Sequence, residues 1–282
     1  MNKIHIDINI PFYLYNCIHR IKLTEKIFQH YIDIKNKFID KAIITFTLIG
    51  SEKELSKNLA LKYFNEDEYF EFDQEPYNIN YSITYHINLL NMLTSKFRYS
   101  FKQSMNKNPN VSLLSGSNDY ISYNFFEQII DSYNPNEKMI YGVDNYYNGE
   151  NAILYVNYDG INNKFTDKSV WIDGVHLHRE KYKYCGGIIG FNDNLFNNYY
   201  NELMNKIITY DEGFIEFETL KLSNVIKFNS KEVFFINIKT ISTSEITSYD
   251  HLNNNCYKVK LLFDNFNTKF KENFNYEFNN LK

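Results

Sequence analysis

The stretch Val111–Tyr123, VSLLSGSNDYISY, decides how the chain is read. An apolar run stops at Ser115-Gly116-Ser117-Asn118-Asp119, and an apolar and aromatic run resumes at Tyr120. A short apolar run bounded by turn residues is the pattern of a strand buried on both faces, as in parallel sheets. Its carboxyl end delivers a polar turn, and open α/β sheets bind ligands in the crevice outside the carboxyl ends of their strands. Asp119 then has two readings. It can hold a hard divalent cation, because Mg²⁺ commonly takes one or two carboxylates plus substrate phosphates. It can equally be a turn residue bonding its own backbone.

Towards the N-terminus the same alternation of strand and helix recurs. Ile4, Ile6, Ile8 and Ile10 alternate with polar residues up to Pro11, which predicts a strand over Lys3–Tyr13 with one face more apolar than the other. Ile27, Phe28, Tyr31, Ile34 and Phe38 recur at helical spacing after Thr24, a candidate cap. Ala42–Ile49 reads as a buried second strand ending at Gly50, and Ser51-x-x-Glu54 as a capping box for a helix carrying Leu55, Leu59 and Tyr63. Tyr69–Phe72 is a short third strand. A helix through Leu90, Leu93, Phe97, Phe101 and Met105 is stopped by Asn108-Pro109. Strands alternating with helices predict an α/β fold with a mostly parallel central sheet flanked by helices. No GxGxxG follows the first strand, which disfavours a dinucleotide-binding Rossmann site.

Towards the C-terminus the pattern is mixed. Ile140–Tyr147 and Ala152–Asn157 flank Asn148-Gly149, a pair suited to a turn between strands. Trp171–Gly174, the glycine-rich Tyr184–Gly190 and a helix through Leu195, Tyr199, Leu203 and Ile207 follow. No Pro- or Ser-rich linker marks a boundary, so residues 1–262 read as one domain, with a first half to 123 and a second half over 124–262. Over 263–282, Phe263, Phe266, Phe270, Phe274 and Phe278 fall on one face of an amphipathic helix, which suits packing on its own domain or a homodimer contact.

Composition narrows the class. With 282 residues, 44% hydrophobic and 23% charged, the chain has the apolar mass for a sizeable core. Its 25 Tyr and 24 Phe, with abundant Asn, Ile and Lys, match the codon bias of an AT-rich genome and carry no functional weight. A net charge of −4 with no basic block argues against nucleic acid as a partner. Cys17, Cys185 and Cys256 lie far apart, outside any disulfide framework or zinc spacing. His176-x-His178 has no third ligand at metal-like spacing nearby. Neither a signal peptide nor a membrane span is visible, so a cytoplasmic protein is expected.

In their order these landmarks resemble the GT-A nucleotide-sugar glycosyltransferases, most of all the family-2-type enzymes, over about residues 3–250. IPFYLYNCIHR resembles the family's opening strand and loop, which implies that Pro11, Phe12, Tyr13 and Arg20 lie near the nucleotide base. Glu71 and Asp73 fall where the third strand supplies a base or ribose contact, and Lys96 where a lysine precedes the central strand. Ser117-Asn118-Asp119 resembles the acidic metal motif, commonly DxD, but keeps only its last acid, leaving Asp119 as the implied ligand for Mn²⁺ or Mg²⁺. The resemblance implies an inverting sugar transfer from a nucleoside diphosphate, UDP first, to a glycan or other hydroxyl acceptor.

Such a transfer needs a base for the acceptor proton. Tyr210-Asp211-Glu212-Gly213 falls where the family places it, so Asp211 is the first candidate, then Glu212 and Glu216. The same acids suit the start of a helix at Phe214. Two other functions stay open: a nucleotidyltransferase, which normally carries a glycine- and basic-rich phosphate loop, and a non-catalytic nucleotide- or glycan-binding module.

Overall fold

The structure, a computed structural model, describes residues 3–14, 16–72, 96–144, 146–147, 150–151, 154–167, 169–173, 189–195, 224–229, 235–240 and 258–262. In chain order the elements are β1 (Ile4–Pro11), α1 (Ile18–Lys37), β2 (Ala42–Gly50), α2 (Lys53–Ala60), a 3-10 turn (Glu66–Glu68), β3 (Tyr69–Glu71), α3 (helical over 96–105), β4 (Val111–Leu114), β5 (Asp119–Ile121) and α4 (Tyr123–Ser132). Then come β6 (Met139–Asp144), β7 (Tyr146–Tyr147), β8 (Glu150–Asn151), β9 (Leu154–Asp159), β10 (Lys164–Asp167), β11 (Ser169–Asp173), β12 (Ile189–Asn192), β13 (Asn224–Asn229), β14 (Phe235–Thr240) and β15 (Lys258–Leu262).

The alternation in β1 gives its two faces opposite chemistry. Ile6, Ile8 and Ile10 stand in register with Ile44, Phe46 and Leu48 of β2, and Ile6 and Ile8 with Val111 and Leu113 of β4. Partners in register share a face, and this one is buried with Leu23, Ile27, Phe28, Tyr31 and Ile34 of α1 in one apolar core. Phe28 meets Phe12 and Phe64 edge to face, at centroid separations of 5.3 and 5.0 Å. The opposite face carries Asp7, Asn9, Thr45, Thr47 and Ser112, all but the half-buried Thr45 withdrawn from solvent, against residues of α3 and the turn after it.

Polar groups in such a place need partners, and most find them across the sheet. Thr45 and Thr47 hydroxyls donate to Asp7 at 2.7 Å each, and Lys107 Nζ donates to Asp7 Oδ1 at 3.1 Å and to the Phe46 carbonyl. Asn9 Nδ2 donates to Ser112 Oγ at 3.0 Å and to the Leu113 carbonyl at 3.1 Å. The α3 face is thus held by hydrogen bonds and an ion pair, whereas the α1 face is held by apolar burial.

The main sheet has seven strands in the order β13-β6-β12-β4-β1-β2-β3. Six are mutually parallel, and β12 runs antiparallel between β4 and β6. The expected α/β architecture with a mostly parallel sheet is what the chain adopts. Strands from both halves of the sequence share this sheet. From β1 the chain moves outward to β2 and β3, then returns to the other side of β1 as β4, so the order reverses beside β1. A smaller sheet, β10-β9-β14-β5, and two short antiparallel pairs, β11·β15 and β7·β8, complete the described elements. Among these residues no helix is long and apolar enough to cross a membrane.

Two expected caps do not form. Helix α1 begins at Ile18, so Thr24 lies inside it, buried with its hydroxyl unpartnered. The chain enters that helix through Asn16, whose φ of 45° suits asparagine. At α2 the N-cap is Glu52, without a side-chain cap bond, and Ser51 Oγ is buried without a partner. The capping box fails because Glu52 is drawn to the loop after β1.

Candidate functional site

The strand order reverses beside β1, and open α/β sheets usually bind ligands at such a reversal, outside the carboxyl ends of the strands, here those of β1 and β4. Arg20, in the first turn of α1, lies across these ends. Its Nη2 donates to Ser117 Oγ at 3.0 Å and Asn118 Oδ1 at 3.2 Å, and its Nε donates to the Tyr13 carbonyl at 3.3 Å. The guanidinium fork therefore ties the loop after β1 to the turn after β4. Asn118 extends the tie: its Nδ2 donates to the Ile238 carbonyl at 3.1 Å, and its own carbonyl accepts from Ile238 N at 2.8 Å. That joins the turn to β14 of the smaller sheet.

Lys96 reaches the same strand ends from the other face of the sheet. Its Nζ donates to the Phe12 carbonyl at 2.9 Å and stands 5.6 Å from the centre of the Tyr13 ring. Only 2% of the residue is exposed. Desolvation brings its pKa down to about 7; Glu52 opposes that shift and the Arg20 charge adds to it. Two cations and two carboxylates, Glu52 and Asp119, thus gather around the end of β1.

The loop itself is closed by Glu52. Its carboxylate accepts from Leu14 N and, at 3.1 Å, from Asn16 N. Phe12 N donates to the Ile49 carbonyl at 2.9 Å and Cys17 N to the Leu14 carbonyl at 3.1 Å, so these amides are engaged within the protein.

The turn after β4 is built around Asp119 and Tyr31. Asp119 opens β5, pairs with Asn237 of β14 and is 7% exposed. Its carboxylate folds back over Gly116, where a Cβ would stand 2.6 Å from Asp119 Oδ2, so any larger residue requires that carboxylate to move. Tyr31 rises from α1 beneath the turn, its hydroxyl 2.6 Å from Ser115 Oγ and donating to the Gly116 carbonyl at 3.3 Å and the Asp119 carbonyl at 3.4 Å. Burial and the Asp119 charge push its pKa up, so it stays a neutral donor.

No protein-family profile matches the chain, and no curated protein sequence matches it. Similar solved structures include the 4-diphosphocytidyl-2C-methyl-D-erythritol synthase of Anaerococcus prevotii, at TM-score 0.49 and 13% identity, covering 89% of this chain and 96% of that one. The inositol-1-phosphate CTP transferase of T. maritima is similar at TM-score 0.39 and 9% identity, covering 89% and 95%. A mannose-1-phosphate geranyltransferase of Thermus thermophilus is similar at 0.38 and 6%, covering 85% and 74%. At these scores and identities the likenesses carry no assignment of activity.

Of the residues singled out from sequence, the structure brings Phe12, Tyr13, Arg20, Lys96, Ser117, Asn118 and Asp119 to one place, with buried Pro11 ending β1 beside them. Glu71 ends β3 at the sheet edge and is exposed. Asp73, Asp211, Glu212, Glu216, His176, His178 and the 263–282 segment lie outside the described residues. Sequence reasoning missed Glu52, which it placed inside a capping motif, and Tyr31, which it counted as core. Tyr31 had no distinguishing signal, whereas an acid at the end of β2 was in view.

Proposed function

We propose that the chain is a glycosyltransferase that binds a nucleoside-diphosphate sugar at the carboxyl ends of β1 and β4 and passes the sugar to an acceptor hydroxyl. The placement of Arg20 and Lys96 at the strand-order reversal supports binding of an anionic nucleotide there. Tyr13, whose ring lies over Lys96, is the candidate platform for the base. In this reading residues 1–123 supply the nucleotide half and 124–262 the acceptor half, with Asp211 or Glu212 as the base and UDP the first nucleotide to test.

One observation favours sugar transfer over nucleotidyl transfer: Glu52 fills the loop after β1. A nucleotidyltransferase must hold a triphosphate, normally on outward-facing loop amides and a basic side chain. Here the amides of Leu14 and Asn16 are bonded to a carboxylate, whose charge opposes a triphosphate at that spot. A diphosphate held further along, between Arg20 and Lys96, avoids it.

The test is incubation with nucleotide sugars and, separately, with nucleoside triphosphates plus sugar phosphates, followed by phosphorus NMR. Release of a nucleoside diphosphate is the expected result. Release of pyrophosphate from a triphosphate would instead establish the nucleotidyl reaction.

A further inference from the structure

The resemblance implies a divalent cation on Asp119, and the donor set of the turn can be tested against that ion. Mg²⁺ and Mn²⁺ favour hard, mostly anionic oxygens. The two side-chain oxygens preceding Asp119 belong to the neutral groups Ser117 and Asn118, and both already accept from Arg20 Nη2. Arginine stays protonated in proteins. A permanent positive charge therefore occupies the side of the motif where a second acid would face the metal, and a dication drawn to Asp119 would be repelled by it. The described residues of this turn do not fit a resident divalent cation.

We propose that Arg20 and Lys96 take the place of the metal, so that the diphosphate of the donor is bound, and its departure stabilised, without a divalent cation. The inference rests on the nucleoside-diphosphate-sugar reading above. Both cations sit in walls of low exposure, 8% for Arg20 and 2% for Lys96. Charge in such a wall acts on a ligand more strongly than the same charge in water, and needs no rearrangement when new charge develops. They approach from opposite faces of the sheet, Arg20 on α1 and Lys96 on α3, and so bracket whatever lies at the end of β1. In the transfer, the bond between the anomeric carbon and the diphosphate oxygen breaks, and its electron pair leaves with the diphosphate. The acceptor oxygen bonds to the anomeric carbon, and its proton passes to the general base.

Titration calorimetry of the full chain with UDP, GDP, CDP and dTDP, each in EDTA and in excess MnCl₂, tests this directly. At least one nucleotide should bind in EDTA with an affinity within about threefold of its value in Mn²⁺, a difference of under about 1 kcal/mol. Binding that requires Mn²⁺ would overturn the inference and leave the nucleotide reading standing. Binding in neither condition would overturn both. Arg20→Gln, checked for parental circular dichroism, should lower affinity in EDTA at least tenfold, and unchanged affinity would refute the role of Arg20. Should that variant not fold, Lys96→Met carries the same test, because Lys96 makes fewer structural bonds.

Discussion

His30 makes the acid stability of this fold a measurable consequence of one buried ring. It lies in α1 with no exposure, stacked on Tyr120 at a centroid distance of 4.3 Å. Its Nε2 donates to the Ile121 carbonyl at 2.7 Å, which fixes the neutral tautomer, and its Nδ1 is buried without a partner. A second proton would leave an N–H with no acceptor in an apolar place. Desolvation accordingly brings the pKa from 6.5 down to about 4, against a smaller opposing effect of the Ile121 carbonyl. The unfolded chain takes up this proton below pH 6.5 and the folded chain only below about 4, so the unfolded state holds more protons in between. Stability therefore rises with pH through that window and is lost as pH falls through it. At 1.36 kcal/mol per unit, the full loss is about 3 kcal/mol. His30→Gln keeps a donor towards Ile121 and removes the titration. Urea denaturation at neutral pH and at about pH 4.5 should show the variant somewhat less stable at neutral pH, by about 1 kcal/mol from lost stacking and packing. The fall in stability between the two pH values should be smaller in the variant by more than about 2 kcal/mol. Equal falls in parent and variant would refute the reasoning.

Other outcomes follow from the same geometry. Lys96→Met should raise stability at neutral pH by about 1–3 kcal/mol, because the penalty that lowers the buried ammonium's pKa from 10.5 to about 7 exceeds the value of its bond to the Phe12 carbonyl, while weakening nucleotide binding; thermal denaturation and calorimetry read the two effects. In the parent, nucleotide affinity should fall as pH rises past about 7, because free Lys96 is then neutral and binding an anion must bring in a proton; calorimetry in buffers of different ionisation heat detects that uptake. Gly116→Ala should displace the Asp119 carboxylate from its place over the turn, costing about 1 kcal/mol, and weaken nucleotide binding, both visible in a thermal-shift titration. Asp7→Asn should destabilise by about 1–3 kcal/mol, because it removes the buried carboxylate that pairs with Lys107 and accepts from two threonine hydroxyls; chemical denaturation measures it.

Much of the sheet was legible because its signals are local. Alternating isoleucines placed β1, the β-branched run placed β2, and the apolar run broken by SGSND placed β4 and its turn beside them. Arg20, Lys96 and the Ser117–Asp119 turn were found through resemblance, and the structure gathers them. The failures were non-local. Ser51-x-x-Glu54 has the local form of a capping box, but long-range bonds from the amides of Leu14 and Asn16 engage the intervening Glu52. Thr24 suited a cap locally, yet packing of Leu23, Ile27 and Phe28 extended the helix past it. Asp119 had two local readings, cation ligand or turn residue; it closes the turn onto the Gly116 carbonyl and also begins a strand whose partner, Asn237, lies far along the chain. The polar face beneath α3 could be suspected from Asp7 and Asn9, but not its pairing with Lys107 and Ser104.

The carboxyl ends of β1 and β4, tied together by Arg20, form the proposed nucleotide site. Hydrogen exchange followed by mass spectrometry, with and without saturating nucleoside diphosphate, tests it most directly. Slowed exchange should be concentrated in residues 12–20 and 115–119, with the strands at the far edge of the sheet unchanged. Nucleotide that binds but protects a different surface would contradict it.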